Sequence, residues 1–257
     1  AVVSMAVIPH WGWRGVFFVG ALPALVVFWI RRHTPESEMW QKNKEKMESE
    51  HKKYSAAAIF RMLFIGETKN TITCLGYITF IMLGYWGLTT WAPAYLAMPV
   101  QKGGRGLSLM QSGGIVVMMK MASVLGYATF GIVADKIGLK PTMSIFILGN
   151  ALSIPFFLTA SASTLLTIAT LCTGYFVAVY AGFGPMMAEL FSTEIRATAS
   201  GALYNIARAI SGLAPMLIGG MAVKMGMGNA LYIVAAFYMI SLIFLYLMPP
   251  LRGAELK

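Results

Sequence analysis

The sequence predicts an all-α polytopic membrane protein, and three observations carry that prediction. Of its 257 residues, 58% are hydrophobic and only 12% charged, about half the charged fraction of a typical soluble domain. The apolar residues gather into long runs separated by short breaks rich in Gly, Pro, Lys and Arg, which is the pattern of successive membrane-spanning helices. Mean hydropathy is high, at +0.69.

The net charge of +10 raises nucleic acid as a partner, but the location of the charge excludes it. Most Lys and Arg fall in the breaks between apolar runs, where basic residues orient a membrane protein. Cys74 and Cys172 both lie inside apolar runs and read as packing residues. The three histidines have no metal-ligand spacing, so neither a metal site nor a cofactor is expected.

In order, residues 1–8 read as the tail of a span. The chain opens in an apolar run without an initiator Met, which predicts a start in mid-protein. Pro9–Arg14 reads as a turn, with Trp11 and Trp13 suited to the membrane interface. Residues 15–30 form the first complete span, ending at Arg31. Residues 31–55 are the one strongly polar stretch, with Lys42, Glu45, Lys46, Glu48 and Lys52 among its mixed charges. That spacing suits a solvated helix or linker. Residues 56–68 then place Ala56, Ile59, Phe60 and Leu63 on one face, the pattern of a helix lying along a membrane surface. Six further spans are expected at about 71–98, 107–133, 142–160, 164–189, 197–222 and 229–248. The breaks between them are short, so successive spans are antiparallel neighbours.

If the 31–69 linker is cytoplasmic, that side holds fourteen of the basic residues, while the other holds Arg14, Lys102, Arg105 and Lys224. The bias puts the linker and the 251–257 tail inside. Two cations belong to neither side. Lys120 lies midway along its span and Arg208 about a dozen residues into another. A charge at that depth costs roughly 2.5–3.5 kcal/mol, so it faces a cavity or a partner. On Lys120's helix face lie Gly113, Val116, Val117, Val124 and Tyr127; on that of Arg208 lie Gly201, Tyr204, Asn205, Ser211, Gly212 and Pro215. Gly212 and Pro215 are expected to loosen the helix. Either cation can instead pair with a carboxylate outside this chain. Tyr77, Tyr85, Trp86, Trp91, Tyr175 and Tyr180 either line a cavity or pack.

Between the expected third and fourth spans, Gly131–Lys140 reads Gly-Ile-Val-Ala-Asp-Lys-Ile-Gly-Leu-Lys. As plain chemistry this is a tight polar turn, with Gly138 free to adopt an unusual backbone conformation. The pattern resembles the signature loop of the major facilitator superfamily at Gly131, Asp135, Lys136, Gly138 and Lys140. It departs at Leu139, where a basic residue is usual. Arg31, Pro35-Glu36-Ser37 and Trp40 resemble the segment after the sixth helix of such proteins. Ala188–Thr198 resembles the junction of the tenth and eleventh helices, with Ser192 where Pro is more usual. Together with Tyr204, Asn205 and Arg208, it is most similar to the organic-acid and sialic acid:proton symporters.

The resemblance implies the second six-helix half of a twelve-helix facilitator fold, plus the last helix of the first half. Residues 1–30 would close the first half, 31–69 would be the cytoplasmic linker, 70–250 the six-helix bundle and 251–257 a cytoplasmic tail. It implies a non-enzymatic secondary transporter in the inner (plasma) membrane, moving a small organic anion with protons by alternating access. Its partners would be the lipid bilayer and the missing N-terminal half. The substrate-binding candidates are Arg208, Asn205, Tyr204, Lys120 and Tyr127. The cytoplasmic gating set is Gly131, Asp135, Lys136, Gly138, Lys140, Glu189, Glu194 and Arg196, where opposite charges at helix ends can latch and release; a fixed surface ion pair is the alternative. No carboxylate lies near the middle of any span, so a proton site is expected in the absent half. A seven-span receptor or photoreceptor and a membrane-embedded lipid enzyme are the competing readings. The charged stretch after the first span weakens the former, and the lack of His/Asp/Glu clusters the latter.

Overall fold

The computed structural model describes residues 2–33, 41, 61–161 and 163–251. The expected linker and tail therefore fall largely outside the described residues. The regular elements are all helical among those described. The chain divides into two compact units, Ala1–Tyr54 and Ser55–Lys257.

The first unit contains α1 (Val2–His33). The turn expected over Pro9–Arg14 narrows to one residue, Gly12, at φ +64° and ψ −173°, with helix on both sides. A residue without Cβ takes up this reversal alone. Beyond it, His10–Ile30 is long and apolar enough to cross a bilayer.

The second unit is a bundle of six such spans. They are α2 (Thr68–Ala97), α3 (Leu109–Ile137) and α4 (Leu139–Thr159), then α5 (Ser163–Phe176) continuing through a 3₁₀ stretch (Val177–Gly182) into α6 (Phe183–Leu190). The fifth is α7 (Arg196–Ser211) with α8 (Ala214–Met225), and the last is α9 (Met227–Ala230) with α10 (Tyr232–Leu247). Before α2, Met62–Gly66 forms a π-type turn; the rest of the expected surface helix, 56–60, lies outside the described residues.

The polar turn expected over Ala134–Pro141 is much shorter than the sequence pattern implies. α3 runs through Asp135 and Lys136 to Ile137, and α4 starts at Leu139. Gly138 alone, at φ +90°, makes the break. Pro141 sits in the first turn of α4, where a missing N–H leaves no helical bond unmade.

The helices pack in an order that sets up the site. α10 packs on α2 and α4, α5 on α3 and α4, and α7 on α2, with α3 also against α2. The α3–α5 crossing is close because of two glycines. A Cβ on Gly126 would collide with the carbonyl oxygen of Tyr175, and one on Gly174 with that of Met119. Small residues at such crossings let backbones approach where lipid offers no hydrophobic drive.

The α2–α3 loop is tied down at the end of the bundle away from Gly138. Ser108 and Gln111 form a reciprocal cap at the start of α3, at 3.0 and 3.3 Å. Arg105 donates from Nη2 to the carbonyls of Phe157 (2.8 Å) and Leu158 (3.0 Å), from Nη1 to that of Ala160, and from Nε to Tyr95 Oη (3.0 Å). These carbonyls are the ones a helix C-terminus leaves without intrahelical donors. The loop also reaches the α8–α9 turn, where Gly228 N donates to Gly103 O at 2.9 Å.

Candidate functional site

Two spans keep one face clear of the bundle. Within the apolar window of each span, 67% of α2 is buried, but only 28% of α3 and 22% of α7–α8. On α3 the buried stripe is Ser112, Ile115, Met119, Ala122, Gly126 and Phe130. On α7 it is Ala199, Leu203, Ala207 and Ser211. Lys120, Tyr127, Tyr204, Asn205 and Arg208 all lie off these stripes and are exposed. Helical periodicity thus sends the core residues one way and these candidate residues the other.

The two mid-span cations differ in their surroundings. Lys120 Nζ donates to Tyr85 Oη at 3.3 Å and lies 5.1 Å from the centre of the same ring. Among the described residues it has no carboxylate partner. Arg208 has no side-chain partner among the described residues. It stands in the last turn of α7, and its carbonyl accepts from Ser211 Oγ (2.7 Å) and Gly212 N (3.2 Å).

Just beyond Arg208 the span is interrupted. Gly212 N is shared between the carbonyls of Arg208 and Ala209, and Leu213 N turns to Ile210 O at 3.0 Å. Pro215 has no N–H to offer Ser211. The loosening expected at Gly212 and Pro215 is therefore a break in the middle of the span, between α7 and α8. The Trp91 indole secures the far side by donating to Pro215 O at 2.9 Å.

Tyrosines from separate elements gather beside Lys120: Tyr85 of α2 and Tyr238 of α10 border one void with it, and Tyr180 of the 3₁₀ stretch packs on Tyr85. The Tyr85 and Tyr180 ring centres are 5.2 Å apart. The hydroxyls of Tyr180 and Tyr238 are buried and meet no partner among the described residues. A void of about 10 Å³ is bounded by Tyr85, Thr89, Lys120, Ser123 and Tyr238, among others. That is close to the room one water needs. Tyr238 is absent from the candidates that sequence reasoning yields: it sits in a strongly apolar helix and nothing local distinguishes it. Of the aromatics that reasoning leaves open, Tyr77 packs fully buried against Phe183.

At the Gly138 end, Asp135 and Glu189 line one cavity of about 510 Å³ with Tyr127, Gly131, Ala134 and Gly138. Lys140 points elsewhere. Its Nζ donates to Met248 O at 2.9 Å and lies 5.4 Å from the Tyr246 ring centre, tying the start of α4 to the end of α10. Arg196 Nε turns back to Phe191 O at 3.3 Å. Lys136 and Glu194 are exposed. The eight residues thus occupy one end of the bundle, but of these only Gly131, Asp135, Gly138 and Glu189 line the cavity.

Comparison with known proteins agrees with this architecture. A family profile described as the Major Facilitator Superfamily matches residues 96–257. A putative metabolite transport protein of Haemophilus influenzae is 30% identical over 100% of this chain and 63% of its own length. The cis,cis-muconate transport protein of Acinetobacter baylyi is 27% identical over 91% of this chain and 56% of its own. The sialic acid transporter NanX of Escherichia coli is 26% identical over 95% of this chain and 58% of its own. The chain thus spans about three fifths of the length of these three relatives.

Proposed function

The chain belongs to the Major Facilitator Superfamily, and on that premise we propose that it forms the second part of a proton-coupled secondary transporter for a small organic anion. Members of the superfamily are multi-pass membrane transporters and not enzymes, so the receptor and lipid-enzyme readings fall away. In the proposed protein a first six-helix half precedes this bundle, with residues 1–30 as its end and 31–69 as the cytoplasmic linker. The two halves rock about a midplane site. The protein resides in the inner (plasma) membrane, with the linker and the 251–257 tail inside. The proton site belongs to the first half.

The observation that carries this reading is the position of Lys120 and Arg208. Both are mid-span cations, and both are exposed on the two least buried spans of the six-span bundle. A cation at that depth is too costly to face hydrocarbon, so these faces turn toward a watery cavity or the other half. The lipid-facing surface must lie on other helices. Tyr127, Tyr204 and Asn205 share the faces and supply polar groups without adding charge. Two cations with no acid at comparable depth in this chain suit an anionic cargo. Relatives named for muconate and sialic acid support an organic acid. At the other end, the gating set from Gly131 to Arg196 would meet the first half and close the cytoplasmic side in one state of the cycle.

The test is uptake by the full-length protein in proteoliposomes. A panel of cis,cis-muconate, sialic acid, niacin and a neutral sugar is offered with and without an inward proton gradient. Saturable uptake of at least one acid, raised by the gradient, is expected. Saturable uptake of the neutral sugar alone refutes the anion reading.

A further inference from the structure

The contact between Lys120 and Tyr85 has a consequence for how an anion binds. Lys120 sits on the exposed face of α3 at mid-depth, where its ammonium needs compensation at all times. Among the described residues the compensation comes from one side chain. Tyr85 offers its hydroxyl at 3.3 Å, and with the ring centre 5.1 Å away the ammonium sits at the hydroxyl edge of the ring, not over its face. The ring is not free to follow Lys120. It is half-buried and packs edge-on against Trp86, with centres 5.4 Å apart, and against Tyr180 at 5.2 Å. A fixed ring and a long flexible cation make a resting place, not a shared movement.

We infer that Tyr85 is a positioning residue that holds the Lys120 ammonium when no cargo is bound, and that an anionic cargo must draw Lys120 away from it. Tyr85 therefore competes with the cargo and sets how tightly the site binds. The competition rests on the anion reading above; the contact itself does not. A cation resting on a phenol hydroxyl loses little when a carboxylate replaces it, because a charged partner is the stronger one. A buried carboxylate partner would hold Lys120 far more tightly and make release costly. A tyrosine hydroxyl is weak enough to let go and still gives the ammonium a partner.

Two measurements on the full-length protein test this, with Tyr85→Phe, Tyr85→Leu and Lys120→Gln as variants and melting temperature as the check on folding. The first needs no cargo. Acylation of Lys120 by a water-soluble acetyl ester is followed by mass spectrometry. Tyr85→Phe and Tyr85→Leu both lose the hydroxyl and should both react roughly two- to fivefold faster. Equal rates in the parent and both Tyr85 variants overturn the contact. The second is binding of cis,cis-muconate. Tyr85→Leu should bind it more tightly, by about the same two- to fivefold. A role in packing alone, or direct contact with cargo, would weaken binding instead. The gain must vanish in the Lys120→Gln background. A loss of affinity in Tyr85→Leu, or a gain that persists without Lys120, overturns the competition. Normal muconate binding by Lys120→Gln overturns the anion reading at this residue, whereas the acylation rates bear on the contact alone.

Discussion

Replacing Arg208 with Ala removes a charge without removing any part of the core. The buried stripe of α7 is Ala199, Leu203, Ala207 and Ser211, and Arg208 lies off it, exposed. Alanine is also the better helix former. The fold should therefore tolerate the change. Binding should not. Arginine cannot shed its proton in a protein, and no other cation stands on the exposed face of α7. The neighbouring Asn205 amide already donates to Gly201 O at 2.7 Å, so it is a poor substitute. A planar fork making two parallel bonds to a carboxylate is worth roughly 1.5–3 kcal/mol. Its loss should weaken binding on the order of 10- to 100-fold. Arg208→Lys should recover only part, since an ammonium cannot bond bidentately. Lys102→Ala, in the α2–α3 loop far from mid-span, should have a much smaller effect. The assay is direct binding of a transported acid to purified full-length protein, with melting temperature and size-exclusion profile measured alongside. If Arg208→Ala binds normally but melts early or expresses poorly, Arg208 belongs to a structural ion pair with the other half and is not an anion anchor.

Three further outcomes follow from the bundle itself. Arg105→Ala strips donors from the carbonyls of Phe157, Leu158 and Ala160 and should cost about 1.5–3 kcal/mol; an unchanged melting temperature would show that water replaces the guanidinium without penalty. Gly174→Ala drives a Cβ into the carbonyl of Met119, so α3 and α5 must separate at a cost of roughly 1–3 kcal/mol, read as a lower melting temperature, whereas Gly113→Ala, inside α3 with open space around it, should not lower it. In intact cells, cysteine at position 102 or 224 should react with an impermeant maleimide, while cysteine at 46, 135, 196 or 257 should react only after permeabilisation; the reverse pattern would invert the proposed topology.

The sequence by itself determined the spans, because hydropathy and punctuation are local properties. Seven apolar stretches correspond to the seven segments long enough to cross a bilayer among the described residues, and Gly138 was readable as a turn because few other residues tolerate its backbone. How short the turn is was not readable. Asp135 and Lys136 look like loop residues by polarity, yet helical hydrogen bonding carries α3 past both. Depth along a span likewise singled out Lys120 and Arg208, since the cost of burying a charge depends on position alone. What stands beside each cation is a different kind of fact. Tyr85 lies 35 residues from Lys120 in sequence, and Tyr238 comes from the last span; no local pattern links them. Only the packing of α2 against α3 and α10 brings those phenols to one place. The same holds for Arg105, which looks like an ordinary loop cation until α4 ends beneath it. Local chemistry decides which residues are costly in a membrane, and tertiary packing decides which groups meet that cost.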